Sequence, residues 1–303
     1  MKTKTFTVKT DGFAGMLYEP DDESQYAVLM VFGGATGMKM GALLAPRFVN
    51  NGIAALVISL FGMEGLPENV DRLEADMIEK AVLYLRDFRR IPHLSIYGQS
   101  MGSIFALCTA IQTKAFEKVI LVSPSHVPFE AAAKDRKTML GHSCVMWKGK
   151  ELPYVSPDFS KYKAGRYYRT DSTDYPVTGM RLAYQEAYQD KQKEEAAILP
   201  LEETGADILM IAGEMDESWP SAYSVKKLEE RLKKAQYPKQ YRTILFPKGS
   251  HLCGMKPDEE ENRILYKLIP AIGIMYRTFS KYRKENLSYM EQADCEIIQW
   301  TKE

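Results

Sequence analysis

The run Leu94-Ser95-Ile96-Tyr97-Gly98-Gln99-Ser100-Met101-Gly102-Ser103 carries a short apolar strand pattern into Gly-x-Ser-x-Gly and then into a helical pattern. A serine on a sharp strand-to-helix turn is held at a strained backbone angle, with its hydroxyl presented at the edge of the sheet. Glycines are needed on both sides because a Cβ there would meet the adjoining strand and helix. The segment therefore reads as a nucleophile elbow with Ser100 at its tip. A glycine-rich turn that merely carries a serine has the same five letters, so the surroundings must decide.

Outward from the elbow, continuous apolar runs recur at residues 27–32, 53–61, 94–97, 119–122, 208–212 and 243–246. Several are β-branched and most do not alternate, which is how strands buried on both faces of a parallel sheet read. Helical patterns lie between them. Val70, Leu73, Met77, Ala81, Leu85 and Phe88 form a stripe at three- and four-residue spacing with Asp, Glu and Arg opposite. Val225, Leu228 and Leu232 form another, with Ser221 as its expected N-cap. Strands alternating with helices imply an α/β fold, a doubly wound and mostly parallel sheet, in which ligands collect at the carboxyl ends of the strands.

Residues 126–200 break the rhythm. They are rich in tyrosine (Tyr154, Tyr162, Tyr167, Tyr168, Tyr175, Tyr184, Tyr188), with Trp147 and several prolines, and no clear strand pattern. The expectation is one domain over 1–303 with this interval inserted as a cap over the rim; a solvent-exposed set of loops and helices is the plainer alternative. The tail after Ala271 reads as helix, with Lys281, Arg283 and Lys284 on a solvated face.

Composition excludes several classes of function. The 40 Lys and Arg balance 40 Asp and Glu, so no net field favours nucleic acid or an anionic membrane. No apolar run approaches the roughly 20 residues needed to span a bilayer. The N-terminus, Met1-Lys2-Thr3-Lys4-Thr5-Phe6-Thr7-Val8-Lys9, alternates like an edge strand and lacks the apolar stretch of a signal peptide. Cys108, Cys144, Cys253 and Cys295 are scattered without a Cys-x-x-Cys pair, as in a cytoplasmic protein with reduced thiols and no zinc site.

A serine hydroxyl needs a base, and the base needs an orienting acid. His251, in Phe246-Pro247-Lys248-Gly249-Ser250-His251-Leu252, follows the last strand and is the preferred base among the four histidines. His93 precedes the elbow strand at its amino end, and His142 sits within the insertion. His126, in Ser123-Pro124-Ser125-His126, also follows a strand; it stands as the rival base and an expected pocket residue. The acid should follow a strand lying between Ser100 and His251. Asp216 does so, with Glu214 and Glu217 as neighbouring carboxylates that could substitute. The order Ser…Asp…His is that of the α/β-hydrolase fold and differs from the chymotrypsin and subtilisin orders.

A tetrahedral intermediate also needs two backbone N–H donors. One is expected from Met101, directly after the nucleophile. The other is expected from Ala35, or next Gly34, in the turn Phe32-Gly33-Gly34-Ala35-Thr36-Gly37. A phosphate-binding loop fits that turn poorly, because it lacks Gly-Lys-Ser/Thr and does not match Gly-x-Gly-x-x-Gly.

That same turn, followed by Asn51-Gly52-Ile53-Ala54-Ala55-Leu56 and Leu60-Phe61-Gly62-Met63-Glu64-Gly65-Leu66-Pro67, resembles the catalytic domain of acyl-CoA thioester hydrolases and bile acid-CoA:amino acid N-acyltransferases, a dienelactone-hydrolase-like branch of α/β-hydrolases. The second piece of the resemblance is Gly213-Glu214-Met215-Asp216-Glu217-Ser218-Trp219-Pro220-Ser221, similar to the family's Gly-x-x-Asp-x-x-Trp-Pro/Lys-Ser. The resemblance implies Ser100 as nucleophile, Asp216 as acid and His251 as base; Trp219, in the same segment, is an expected substrate-pocket residue. The acyltransferase branch uses cysteine where this chain has Ser100, so water is the expected acceptor.

The sequence thus leads to a serine hydrolase acting through an acyl-enzyme on a small-molecule acyl thioester or ester, with no metal or redox cofactor. A carboxylesterase acting on small esters fits the residues equally well. A non-catalytic protein that binds an acyl group or small ligand is the third possibility. Oligomeric state stays open.

Overall fold

In the computed structural model, which describes residues 1–33, 37–133, 135, 138–170 and 173–303, the apolar runs become six adjacent strands of an eight-stranded sheet. Its strands are β1 (Lys2–Phe6), β2 (Ala14–Glu19), β3 (Tyr26–Phe32), β4 (Ile53–Ser59), β5 (His93–Gln99), β6 (Lys118–Val122), β7 (Asp207–Gly213) and β8 (Tyr241–Phe246). They lie in the order β1-β2-β4-β3-β5-β6-β7-β8. The amino-terminal strand pairs antiparallel with β2, and β2 antiparallel with β4; every later pairing is parallel. This is the doubly wound sheet expected of an α/β-hydrolase. Strands β3 to β7 are buried along nearly their whole length because helices cover both faces, which explains the lack of alternation.

Helix α1 (Gly37–Val49) packs on one face together with the carboxyl-terminal helix. The other face holds α2 (Met77–Leu83) and α3 (Gly102–Thr113). The stripe that begins at Val70 is only partly helical. Leu73 and Glu74 pair with Val145 and Met146 as a short strand, and the helix starts at Met77 and ends in a π-turn, Tyr84–Phe88. That wider turn buries Leu85 while leaving Phe88 exposed.

Between β6 and β7 the chain departs from the expectation of no strands. Glu130–Ala132 pairs with Met139–Ser143, and Tyr167–Thr170 with Thr173–Thr178. These ribbons are short and stand outside the main sheet, so no burial alternation marks them in the sequence. Two helices follow, α4 (Gly179–Ala187) and α5 (Lys191–Ala197). Beyond β7 come α6 (Ser221–Lys234), α7 (Glu259–Met275) and α8 (Arg283–Lys302). Val225, Leu228 and Leu232 of α6 are buried as the stripe predicts, but Pro220 occupies the N-cap and Ser221 is the first helical residue.

The parallel register aligns Phe32 with Gln99, Gln99 with Val122, Val122 with Ile211, and Gly213 with Phe246. The carboxyl ends of five strands therefore share one rim, where the candidate chemical groups lie. All four cysteines are free thiols, and only Cys295 is exposed. Among the described residues no helix is long and apolar enough to cross a membrane.

Candidate active site

Ser100 follows β5 directly and has φ +59°, a left-handed conformation that a side chain adopts only when its surroundings impose it. Its N–H donates to the Val122 carbonyl at 2.9 Å, and its carbonyl accepts from the Ser103 N–H and, at 2.6 Å, from the Ser103 hydroxyl. A Cβ on Gly98 would lie 2.6 Å from the Ala106 Cβ, and one on Gly102 2.6 Å from the Val31 carbonyl carbon. Both glycines are thus required by close approach, which is the packing expected of an elbow.

The Ser100 hydroxyl lies 2.9 Å from Nε2 of His251. On the other side of the imidazole, Nδ1 lies 2.8 Å from Oδ2 of Asp216. Because a carboxylate only accepts, Nδ1 carries the proton and Nε2 is free to accept from Ser100. Burial opposes a charge on His251, but the Asp216 charge and hydrogen bond, with a further contribution from Glu217, outweigh it and hold the imidazole above its ordinary pKa.

Asp216 is fully buried and has a full set of donors. Oδ1 accepts from the N–H groups of Ser218 (2.8 Å) and Trp219 (3.3 Å), and Oδ2 accepts from the Ser221 hydroxyl at 2.6 Å as well as from His251. Ser221 has therefore exchanged its expected capping role for fixing the carboxylate. From α4, the buried Arg181 guanidinium donates to the backbone carbonyls of Asp216 and Trp219. Of the two alternative acids, Glu214 is exposed, whereas Glu217 is fully buried with Oε1 accepting from the Thr278 N–H at 3.0 Å.

His251 is held from several sides. Its carbonyl accepts from the Ser123 hydroxyl at 2.8 Å. The Trp219 ring packs edge-on against the imidazole at 5.0 Å, with its own N–H donating to the Ser123 carbonyl. Tyr276, following α7, stacks on the imidazole at 5.8 Å and 21°. Asn286 of α8 accepts from the Ser250 N–H and donates to the Lys248 and Tyr282 carbonyls, pinning the loop that presents His251.

Met101 is the N-cap of α3 and directly follows Ser100, while the Ser103 and Ile104 N–H groups behind it are engaged by the Ser100 and Met101 carbonyls. Gly34 and Ala35 lie outside the described residues. Gly33, the last described residue before them, packs against the elbow: a Cβ on it would fall 2.6 Å from the Gly102 nitrogen.

His126 is a correction. Its ring is fully buried, with Nε2 donating to Glu194 (3.1 Å) and Nδ1 2.9 Å from the Ser224 hydroxyl. A side chain with no exposed surface and both nitrogens engaged neither serves Ser100 nor lines an open pocket; it ties the strand end to α5 and α6. His93 is exposed beside Glu117, and His142 faces Asp71. The sequence reading missed Arg181, Tyr276 and Asn286. Arg181 left one trace, as the arginine of the otherwise apolar and neutral stretch Gly179-Met180-Arg181-Leu182-Ala183; the other two left none.

Comparison with known proteins gives the same frame. Carboxyl esterase 2 of the mycorrhizal fungus Tuber melanosporum superposes with a TM-score of 0.53 at 16% identity, covering 96% of this chain and 87% of that one. A truncated carbohydrate esterase from gut microbiota gives 0.50 at 14% identity, over 83% and 89%. At these identities the likeness is one of fold. Acyl-coenzyme A thioesterase 6 of Homo sapiens is 24% identical over 240 residues, 78% of this chain and 51% of its own length. Acyl-coenzyme A thioesterase 2, mitochondrial, of Rattus norvegicus is 23% identical over 77% and 46%. The chain thus spans about half the length of these relatives. Residues 73–255, more than half of the chain, match the family described as BAAT / Acyl-CoA thioester hydrolase C terminal, and the protein belongs to that family.

Proposed function

We propose that the protein is a serine hydrolase that cleaves an acyl thioester, of the acyl-CoA kind, through an acyl-enzyme. The observation that carries the proposal is the continuous relay Ser100–His251–Asp216, closed at 2.9 and 2.8 Å on one rim of the sheet. Ser100 Oγ attacks the acyl carbon as its proton passes to His251 Nε2. The oxyanion accepts from the Met101 N–H and from an amide of the turn that contains Gly34 and Ala35. The C–S bond then breaks and the thiolate leaves with the proton from His251. Water, deprotonated by the same nitrogen, attacks the ester and releases the acid and Ser100. Asp216 keeps the imidazole in the tautomer that can accept, and stabilises the imidazolium. The chemistry uses side chains and backbone alone. The chain acts in this reading as one α/β-hydrolase domain with residues 126–200 as a cap over the rim, working in the cytoplasm. The matched family supports the thioester over the oxygen ester.

The test is free-thiol release from a panel of acyl-CoAs, measured beside p-nitrophenyl ester hydrolysis, with Ser100→Ala as control. Thiol release that falls by about 10⁴-fold or more in the variant is the expected result. Ester turnover without thiol release makes the protein a carboxylesterase. No turnover, and no labelling of Ser100 by a fluorophosphonate, sinks the hydrolase reading.

A further inference from the structure

Glu217 is the next residue after the triad acid and has no surface exposed. Its backbone carbonyl accepts from Thr178, through the hydroxyl at 2.6 Å and the N–H at 3.2 Å, so the end of the cap ribbon fixes its main chain. Its side chain runs the other way. Oε1 accepts the Thr278 N–H at 3.0 Å, and Oε2 is buried without any partner. A carboxylate oxygen left unpaired in the interior is costly, and a surface glutamate would avoid the cost. The bond to Thr278 ends the segment that carries Tyr276 onto the His251 ring. Tyr167 fastens the same segment from the cap, donating to the Met275 carbonyl (2.7 Å) and accepting from the Arg277 N–H (3.0 Å).

We propose that Glu217 is a positioning residue for the reaction assigned above: it tethers the segment ending at Thr278 over His251 and, as the anion, steadies the imidazolium that forms when Ser100 gives up its proton. This rests on the serine-hydrolase reading. The groups whose charges couple to Glu217 are Asp216 and His251 beside it, Tyr276 from the carboxyl-terminal segment, and Tyr167 and Tyr175 from the cap. The three tyrosines are each pushed up to about 12 by burial and stay neutral. Of the cations on these elements, Arg181 is turned to the Asp216 and Trp219 carbonyls and Arg277 lies over the Tyr167 ring. His251 is thus the group whose positive charge Glu217 can answer. Burial first, and then the Asp216 charge, push Glu217 up to about 7, so its ionisation falls where the base must itself be neutral. The family resemblance places a triad acid at Asp216 and assigns nothing to its neighbour.

The experiment is the pH dependence of Ser100 labelling by a fluorophosphonate between pH 5 and 9, which needs no knowledge of the acyl substrate. The wild type should show two inflections on its acid limb, because two coupled protons leave. Glu217→Gln keeps a carbonyl for the Thr278 N–H but cannot ionise. Its limb should contain one inflection, shifted to lower pH by about half a unit to one unit because His251 has lost one source of its raised basicity. Its plateau should fall about three- to tenfold. A tether alone would leave the shape and position of the limb unchanged. A single inflection in the wild type overturns the role of Glu217 even if the variant fails to fold, and so does a limb that the variant does not move. Wild-type protein that takes no label at any pH overturns the hydrolase reading and this one with it.

Discussion

At Asp216 every acceptor site is used, by two backbone amides, the Ser221 hydroxyl and His251. Such a carboxylate is fixed in direction, and its negative charge is what raises the imidazole above its ordinary pKa despite burial. Asp216→Asn keeps the shape but replaces an acceptor with an amide whose NH₂ can face His251. The imidazole then turns its proton toward Ser100, and turnover should fall by about 10³–10⁴-fold with little change in KM. The wild-type rate should fall as pH drops through the raised His251 pKa, because only the neutral ring accepts the serine proton. A plateau extending well below the range of an ordinary histidine would contradict that.

At the scale of elements, the loop that presents His251 depends on a helix that the sequence did not connect to it. Asn286, on α8 and fully buried, accepts from the Ser250 N–H and donates to the Lys248 and Tyr282 carbonyls. Asn286→Ala leaves the buried Ser250 N–H without its acceptor and should cost about 1–3 kcal/mol of stability. The loosened loop should lower kcat about tenfold while leaving KM near its original value; unchanged kcat together with a lower melting temperature would confine Asn286 to stability. The contrast with the sheet shows what was legible. Strands β3 to β7 declared themselves because burial on both faces demands unbroken apolar runs, and chain order then singled out Ser100, Asp216 and His251, which the fold brings within hydrogen-bond distance. The ribbons of residues 130–178 did not, because two to six residues with one face on a core and one in solvent carry too little pattern. Ser221 misled for a related reason: a serine opening a helix normally caps it, and only the tertiary approach of Asp216 gives the hydroxyl a stronger acceptor. His126 misled because position after a strand does not reveal that Glu194, over sixty residues later, seals the ring from behind.

For the molecule as a whole, the two carboxyls buried near the cap pull stability in opposite directions with pH. Burial alone would raise Glu194, but hydrogen bonds from His126, Lys191 and Tyr223 prevail and bring it down to about 2. Its contribution is present above the pKa of the unfolded chain, near 4.5, and is lost as pH falls toward 2. Glu217 has the reverse sign. Its folded pKa of about 7 exceeds the ordinary 4.5, so the folded state holds a proton that the unfolded chain has released. Stability from this group is intact below pH 4.5 and is lost as pH rises through 7, by an amount of about 3 kcal/mol at most. Glu217→Gln removes the titration while keeping the bond to Thr278. Denaturant unfolding should therefore find wild type and variant alike at pH 4.5, with the variant gaining steadily up to pH 7 and then holding its advantage. The same substitution is expected to slow Ser100, so a more stable and less reactive protein is the joint outcome. A variant equally stable at pH 5 and pH 8 would mean that Glu217 is ionised throughout, and that the fold bears the charge without cost.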